Sequence, residues 1–243
     1  MTDLELAKTI AEGAGKILLD LRATGLFEGK ALGKVGDRVA NAFIIEALRE
    51  NRPDDAILSE EEKDSAARLA AERVWIVDPL DGTREYGEGR TDWAVHIALS
   101  IAGKPAIGAV ALPGVGQVFL SEPQDLPALP QKLRVLVSRT RPAKEALAVA
   151  EALNAELVPM GSAGAKAMAV LRGEADIYLH TGGQYEWDNC APGAVALAAG
   201  LHATRANGSP LAYNNADPYL PDLLICQVEL APKVLEVLSK VPA

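Results

Sequence analysis

The sequence has few cysteines and few histidines. Its two cysteines, Cys190 and Cys226, are too few for a disulfide framework, and no CxxC spacing indicates a zinc site. The three histidines, His96, His180 and His202, share no obvious ligand spacing. We therefore interpret all five side chains as structural.

Positive charge is also scarce. The 243 residues contain 24 Lys and Arg against 33 Asp and Glu, which gives a formal net charge of -9. No run of basic residues forms the stripe that a nucleic-acid polymer would need, so such polymers are not expected partners. A small phosphorylated substrate stays compatible with this charge, because metal ions bound by acidic residues can reverse the sign of the local field.

Long hydrophobic runs are absent. No apolar run reaches the length of a membrane span, and no basic segment followed by an apolar stretch opens the chain. We therefore expect no membrane partner and a cytoplasmic location. With 49% hydrophobic residues, the chain can bury a core as one large domain or two tightly joined ones.

The first half of the sequence combines helical patterns with β-rich runs. Apolar spacing predicts a helix over residues 4–21 and a second helix, carrying Val39 and Phe43 on its apolar face, that ends near Pro53. An antiparallel or mixed sheet with helices on one side is expected to follow. Its predicted strands cover residues 56–58, 74–77, 93–101, 106–112 and 117–120.

The second half has a different organisation. Residues 121–130 contain three prolines and little apolar periodicity, which indicates a linker between an α+β subdomain at 1–122 and an α/β subdomain at 131–243. Beyond the linker, strand and helix patterns alternate, as in a layered α/β protein. The predicted strands are 133–137, 156–159 and 175–179, and the predicted helices are 142–153, 163–171 and 194–199.

An apolar strand runs directly into two acids at residues 78–83. Asp78 and Asp81, separated by a proline-fixed turn, can converge on one spot, where the Leu80 carbonyl could also turn inward. Hard cations such as Mg²⁺ prefer this set of oxygen ligands. Gly82 would let the backbone approach a phosphate, and Thr83 offers a hydroxyl beside it. An ordinary Asp-Pro turn explains this short motif equally well when it is taken alone.

Other candidate residues lie at element boundaries. Glu60 and Glu61 follow a short predicted strand, although an acid cluster there is usually a solvated helix start. Asp188 precedes an apolar helix, where an N-cap is the commoner role. Ser162 and Lys166 lie one helical turn apart at a predicted helix start, where they could meet an anion, although a solvent-facing lysine is commoner.

Two arginines are further candidate residues, and two common catalytic or phosphate-binding motifs do not occur. Arg139 and Arg141 follow a predicted strand and could meet a second phosphate, but we rank them below Lys166. No GxSxG elbow and no Walker-type phosphate loop occurs, which disfavours a Ser-His-Asp hydrolase and a nucleotide-binding loop of that type.

Taken together, several motifs resemble the inositol monophosphatase superfamily over nearly the whole chain. They are Glu60-Glu61, residues 78–83, Gly161-Ser162-Ala163 and Trp187-Asp188. Within the superfamily the chain is most similar to CysQ-type 3'(2'),5'-bisphosphate nucleotidases, through residues 84–86, 92–96, 161–168 and 186–188. Inositol-specific members tend to carry Thr-Asn-Phe at 84–86. The resemblance implies a layered α/β fold, an αβαβα sandwich.

The resemblance also implies two or three Mg²⁺ ions. By position, Glu60, Asp78 and the Leu80 carbonyl would hold the first, while Asp78, Asp81 and Asp188 would hold the second. A water on the first metal would attack the phosphate, and the second metal would stabilise the leaving oxygen. Lithium sensitivity is a further implied property.

The implied catalytic groups are Thr83, Asp37 and Glu60. Asp37, placed before the second helix, would orient Thr83, and the run 32–37 containing Lys34 is expected to be a loop shorter than in many relatives. The implied substrate contacts are Gly82, Thr83, Ser162, Lys166, Glu61 and Arg84.

The resemblance implies hydrolysis of the 3'-phosphate of adenosine 3',5'-bisphosphate to AMP and phosphate, with the 5'-phosphosulfate analogue as a second substrate. No motif reads the adenine base directly. Inositol-1-phosphatase and fructose-1,6-bisphosphatase activities are alternatives on the same core, and a catalytically silent metal or nucleotide sensor is the alternative from another class. The expected partner is a small phosphorylated molecule, and both a monomer and a homodimer are open.

Overall fold

The computed structural model describes residues 1–241, which form seven α-helices and ten β-strands. The helices are α1 (Asp3–Ala23), α2 (Gly29–Asn51), α3 (Thr83–Gly87), α4 (Lys144–Ala152), α5 (Ala163–Leu171), α6 (Glu186–Ala198) and α7 (Ala231–Leu238). The strands are β1 (Ala56–Ser59), β2 (Arg73–Asp81), β3 (Ala94–Ile101), β4 (Lys104–Leu112), β5 (Gln117–Leu120), β6 (Arg134–Ser138), β7 (Glu156–Met160), β8 (Ile177–Tyr185), β9 (His202–Thr204) and β10 (Tyr219–Cys226).

The first sheet has the strand order β1-β2-β3-β4-β5. β1 runs parallel to β2 and the other neighbours are antiparallel, so the expected mixed sheet is confirmed. Side chains of β2 alternate between two cores, as the period of a strand requires. Trp75 and Val77 pack with α1 and α2, whereas Val74 and Ile76 pack with α5 and α6.

The second sheet has the order β7-β6-β8-β10-β9. One of its faces joins the core that contains α5 and α6, and the other packs against α4 and α7. Five layers result: α1 and α2, the first sheet, α5 and α6, the second sheet, and α4 with α7. The αβαβα sandwich is therefore confirmed.

Helix α2 differs from the prediction. It begins at Gly29, so residues 32–37 are helical and the expected shortened loop is wrong. Asp37 lies inside the helix rather than before it. A Cβ added at Gly33 would lie 2.6 Å from Cγ2 of Thr83, and one at Gly36 would lie 2.9 Å from the Tyr86 ring. These glycines allow α2 to pack closely on α3, which explains a pattern that suggested a loop.

Two further predictions for the helices differ from the structure. Val39 and Phe43, predicted for the apolar face of α2, are 40% and 37% exposed. Helix α6 begins at Glu186 rather than at residue 194. The sequence patterns do not predict β9, β10 and α7.

Residues 121–133 of the described chain contain neither helix nor strand, and this segment includes the predicted linker. The division into two subdomains stays a prediction, as do the cellular location and the oligomeric state. Among residues 1–241, no helix has both the length and the apolar character needed to cross a membrane.

Candidate metal and active site

The end of β2 contains a β-bulge. Asp78 pairs with His96 of β3, and Asp81 pairs with Ala94, so three steps along β2 match two along β3. In a regular strand, residues three apart face opposite sides, and one extra residue restores a common side. Carboxylate oxygens of Asp78, Asp81 and Asp188 accordingly lie within 4.8 Å of one another.

Asp188 reaches this cluster from the first turn of α6. It is the third residue of the helix and not the N-cap, and its Oδ2 accepts the backbone N–H of Tyr185 at 2.6 Å. A carboxylate at this position is favoured by the helix dipole. The side chain is therefore held in place by its own helix while one oxygen faces Asp78 and Asp81.

Glu60 lies at the end of β1, where its backbone N–H donates to the Val77 carbonyl at 3.4 Å. As a whole residue it is exposed, but its carboxyl group is crowded by the acids of the site. Burial of this group raises the pKa of Glu60 to about 8, and the charges of Asp37 and Asp188 add to the rise. Glu61 is exposed beside it.

The electrostatics of the cluster fit a divalent cation. Burial, and then the charge of Glu60, raise the pKa of Asp78 well above its ordinary value. Burial, and then the charge of Asp81, raise the pKa of Asp188 to about 6. Oxygen donors gathered in this way repel one another as anions, and a hard cation removes that repulsion. The donor set therefore suits a hard divalent cation.

Thr83 and Asp37, the pair implied by the family resemblance, lie within hydrogen-bonding distance of each other. Thr83 Oγ1 lies 3.0 Å from Asp37 Oδ2 and 3.1 Å from the Leu80 carbonyl oxygen. Burial raises the pKa of Asp37 to about 7, against the hydrogen bond from Thr83, which lowers it. Gly82 has a φ of +90°, and a Cβ there would lie 3.2 Å from the Cβ of Ser162, so only a glycine suits this turn.

Ser162 and Lys166 face inward. Ser162 Oγ donates to Asp81 Oδ2 at 2.5 Å, and the N–H of Gly164 donates to the same oxygen at 2.6 Å. Lys166 is 6% exposed, so a solvent-facing lysine is the wrong description. Its Nζ donates to the carbonyls of Ser162 at 2.5 Å and Gly161 at 3.2 Å. Contacts of Ser162 and Lys166 with substrate stay predictions.

A cavity of about 800 Å³ adjoins the Thr83 and Asp37 pair. Arg84 lines it and donates from Nε to Glu88 at 2.8 Å. Arg139 does not project freely for a second phosphate, because it donates to Glu85 at 2.6 Å and to Glu88 at 3.0 Å. The other lining residues are Gly29, Lys30, Lys34, Glu61 and Gly87.

Comparison with known protein families assigns the chain to one of them. A family model described as the inositol monophosphatase family matches residues 4–242. The chain belongs to this family. The resemblance inferred from the sequence motifs is thereby confirmed.

Curated relatives of this family member extend along most of its length. A Mycobacterium leprae protein named 3'-phosphoadenosine 5'-phosphate phosphatase is 50% identical, with 99% of this chain and 95% of the relative covered. An Escherichia coli K12 protein named 3'(2'),5'-bisphosphate nucleotidase CysQ is 31% identical, with 76% and 80% covered.

Solved structures agree with the fold of this family member. CysQ from Bacteroides thetaiotaomicron has a TM-score of 0.80 at 26% identity, with 93% of this chain and 97% of that chain covered. An inositol monophosphatase from Anabaena has a TM-score of 0.79, with 98% and 96% covered, but its 23% identity supports likeness of fold alone.

His96 is a part of this family member's site that the sequence interpretation missed. It is fully buried, its Nδ1 lies 3.0 Å from the Trp187 carbonyl oxygen, and its Nε2 lies 3.3 Å from Asp81 Oδ2. Burial alone would lower the pKa of His96, but the Asp81 carboxylate outweighs it and the pKa is raised. For Asp81, burial alone would raise the pKa, but the contact with His96 outweighs burial and the pKa is lowered. In the sequence, only the pairing of β3 with β2 could have indicated that His96 lies next to these acids.

A second unpredicted feature joins the segment after Glu60 to the start of α6. Arg68, which is 3% exposed, donates from Nη1 to Asn214 Oδ1 at 2.8 Å. Glu186, which is fully buried, accepts the backbone N–H groups of Asn214 at 2.7 Å and Asn215 at 2.8 Å. We call Arg68, Glu186 and Asn214 the polar clamp. The polar clamp connects the chain segment that follows Glu60 to the first turn of α6, which carries Asp188.

Proposed function

We propose that this family member is a Mg²⁺-dependent phosphomonoesterase that hydrolyses the 3'-phosphate of adenosine 3',5'-bisphosphate to AMP and phosphate. The observation that carries the proposal is the convergence of three carboxylates, Asp78, Asp81 and Asp188, close to the paired Thr83 and Asp37. The Mycobacterium leprae relative, 50% identical over almost all of the chain, supports the choice of substrate. The 5'-phosphosulfate analogue is a second substrate under the same proposal.

Residues for two Mg²⁺ ions are available. Glu60, Asp78 and the Leu80 carbonyl would hold one ion, and Asp78, Asp81 and Asp188 would hold the other. Bound Mg²⁺ would supply an activated water near neutral pH and would stabilise charge on the phosphate and the leaving oxygen.

The chain's own residues would manage the proton of that water. Asp37 Oδ2 accepts the hydroxyl hydrogen of Thr83, which leaves the lone pairs of Thr83 Oγ1 free to accept from a water. Without metal, burial raises the pKa of Asp37 to about 7, which favours proton uptake by its carboxylate. Thr83 would orient the water, and Asp37 would be the final acceptor.

Asp81 is the most rigidly held acid of the cluster. Its Oδ2 accepts hydrogen bonds from Ser162 and Gly164, and His96 lies 3.3 Å from the same oxygen. Such support fixes a ligand before the metal arrives and strengthens its binding. Ser162 and His96 would therefore act through Asp81.

The proposal is tested by measuring phosphate release from adenosine 3',5'-bisphosphate, inositol 1-phosphate and fructose 1,6-bisphosphate, with Mg²⁺ and with EDTA. We expect Mg²⁺-dependent release with a preference for the nucleotide. A preference for inositol 1-phosphate or fructose 1,6-bisphosphate would keep the metal site and overturn the substrate. No release from any of the three would favour a sensor.

Two aspartate variants locate the activity. Asp78→Asn should abolish release, because it removes the carboxylate shared by both sets of ligands. Asp54→Asn, the same change at an exposed residue, should behave like the wild type. An active Asp78→Asn variant would refute the site.

A further inference from the structure

The tyrosines and tryptophans are unevenly distributed between the core and the surface. The chain has five tyrosines and three tryptophans. Three are not buried, and among these Tyr185 contacts both Trp187 and Tyr219. The buried ones are Trp75, Trp93, Tyr86, Tyr178 and Tyr213.

The three rings form an ordered surface. Tyr185 and Trp187 stack with ring centroids 4.8 Å apart and planes 6° apart, and Tyr219 meets Tyr185 edge-on at 6.0 Å. Tyr185 and Tyr219 are 45% and 48% exposed. A Cβ at Gly183 would lie 2.6 Å from the Tyr219 ring, so this ring lies directly against the backbone of β8. Large apolar rings are thus held in place at the surface without being covered.

Their position relates them to the candidate site. Tyr185 and Trp187 flank the first turn of α6, and the backbone N–H of Tyr185 donates to Asp188. Helix α6 lies on the inner face of the first sheet, whereas Asp37 belongs to α2 on its outer face. In an in-line displacement the alcohol leaves opposite to the entering water. If Thr83 and Asp37 orient the water from the α2 side, the nucleoside leaves on the opposite side of the phosphate, and α6 with Tyr185 and Trp187 lies on that side of the first sheet.

We propose that Tyr185, Trp187 and Tyr219 form a stacking surface for the purine base of the substrate. This inference rests on the proposed nucleotidase function and gives it a basis for base recognition. Aromatic rings bind bases through their faces and need no base-specific hydrogen bond, which agrees with the lack of a base-reading motif in the sequence. The rings are pre-ordered by their mutual contacts, so little freedom is lost when a base binds.

The test compares kcat/KM for adenosine 3',5'-bisphosphate with kcat/KM for ribose 3,5-bisphosphate, which carries both phosphates but no base. In Tyr185→Ala and Tyr219→Ala, the ratio of the two values should fall roughly tenfold, on the order expected for losing one stacked base. Tyr185→Phe keeps the ring and should keep the ratio within about twofold of the wild type. The hydrogen bond to Asp188 comes from the backbone of residue 185 and survives all these changes.

A binding experiment gives an independent readout. AMP, but not ribose 5-phosphate, should quench tryptophan fluorescence, because Trp187 is part of the surface while Trp75 and Trp93 are buried. The quenching should be lost in Trp187→Phe. Quenching that persists in that variant would contradict the inference.

The outcomes separate the two proposals. A wild-type protein that releases no phosphate from either bisphosphate fails the proposed function, and the stacking surface falls with it. A wild-type protein that hydrolyses the nucleotide well, with ratios unchanged in both alanine variants, overturns the stacking surface alone. Loss of self-association in Tyr185→Ala with an unchanged ratio would assign the rings to contact between copies instead.

Discussion

Gly164 offers a sharp test of the packing around Asp81. A Cβ at this position would lie 2.1 Å from His96 Nε2 and 3.0 Å from the Cβ of Ala94. His96 is fully buried, so its ring cannot move into solvent. Gly164→Ala should therefore push His96 away from Asp81 or shift the start of α5, whose N–H at Gly164 also binds Asp81.

The expected loss of stability follows from overpacking. Forcing a methyl group into a filled core costs about 1–3 kcal/mol. For a chain of this size, each kcal/mol changes Tm by about 2–4 °C, so Tm should fall by roughly 2–12 °C. Because partners of a metal ligand typically contribute about 10- to 100-fold to metal affinity, half-maximal activity should also require about tenfold more Mg²⁺ or more.

Differential scanning calorimetry without metal and a Mg²⁺ titration of phosphate release measure the two effects. Gly13→Ala is the matched control, because its Cβ would lie 2.8 Å from the ring of Phe43, which is 37% exposed and can move aside. Since alanine is the better helix former, this control should be neutral or stabilised by up to about 1 kcal/mol. A Gly164→Ala variant with wild-type Tm and wild-type Mg²⁺ dependence would refute the reasoning.

Three further predictions follow from the site. Thr83→Val removes the hydroxyl between Asp37 and the Leu80 carbonyl, so kcat should fall about 10²- to 10⁴-fold with a smaller change in KM, whereas Thr83→Ser should retain much of kcat. Without metal, the raised pKa values of Asp37, about 7, and Glu60, about 8, mean that the folded state binds protons more tightly than the unfolded chain. The stability that these groups contribute is present below about pH 4 and is lost as pH rises through 7 and 8, so in EDTA Tm should fall between about pH 5 and 8.5. Mg²⁺ should restore it at pH 8, and a flat Tm in EDTA would contradict this assignment. Glu186→Gln replaces a buried acceptor of backbone N–H groups, so urea unfolding should show a loss of about 1–3 kcal/mol. An unchanged urea midpoint would show that the clamp does not stabilise the fold.

Much of the site could be predicted because its residues are adjacent in sequence. Residues 78–83 combine a buried strand, two acids and a glycine, and from that local pattern we expect Asp78 and Asp81 to converge, as the structure has them. Asp188 required the family resemblance, since an isolated acid before an apolar helix has many roles. The conformation of Gly82, with its φ of +90°, agrees with the turn expected there.

The errors have a different origin. His96 acquires its place through the register of β3 against β2, and an alternating strand pattern contains no information about what lies opposite. The family resemblance implied a loop at residues 32–37, whereas here Gly33 and Gly36 let this part of α2 pack closely on Thr83 and Tyr86. In each case long-range packing decided the outcome.

The segment of residues 121–133, which contains neither helix nor strand, has a practical consequence. It contains none of the proposed site residues, and it joins β5 to β6, which belong to different sheets. Helix α6 packs on β3 and β4 of the first sheet and also on β10 of the second. Two separately expressed fragments, cut within this segment, therefore retain an extensive surface for reassociation. Because Asp78 lies on one fragment and Asp188 on the other, we expect each fragment alone to be inactive and activity to return when the two reassociate.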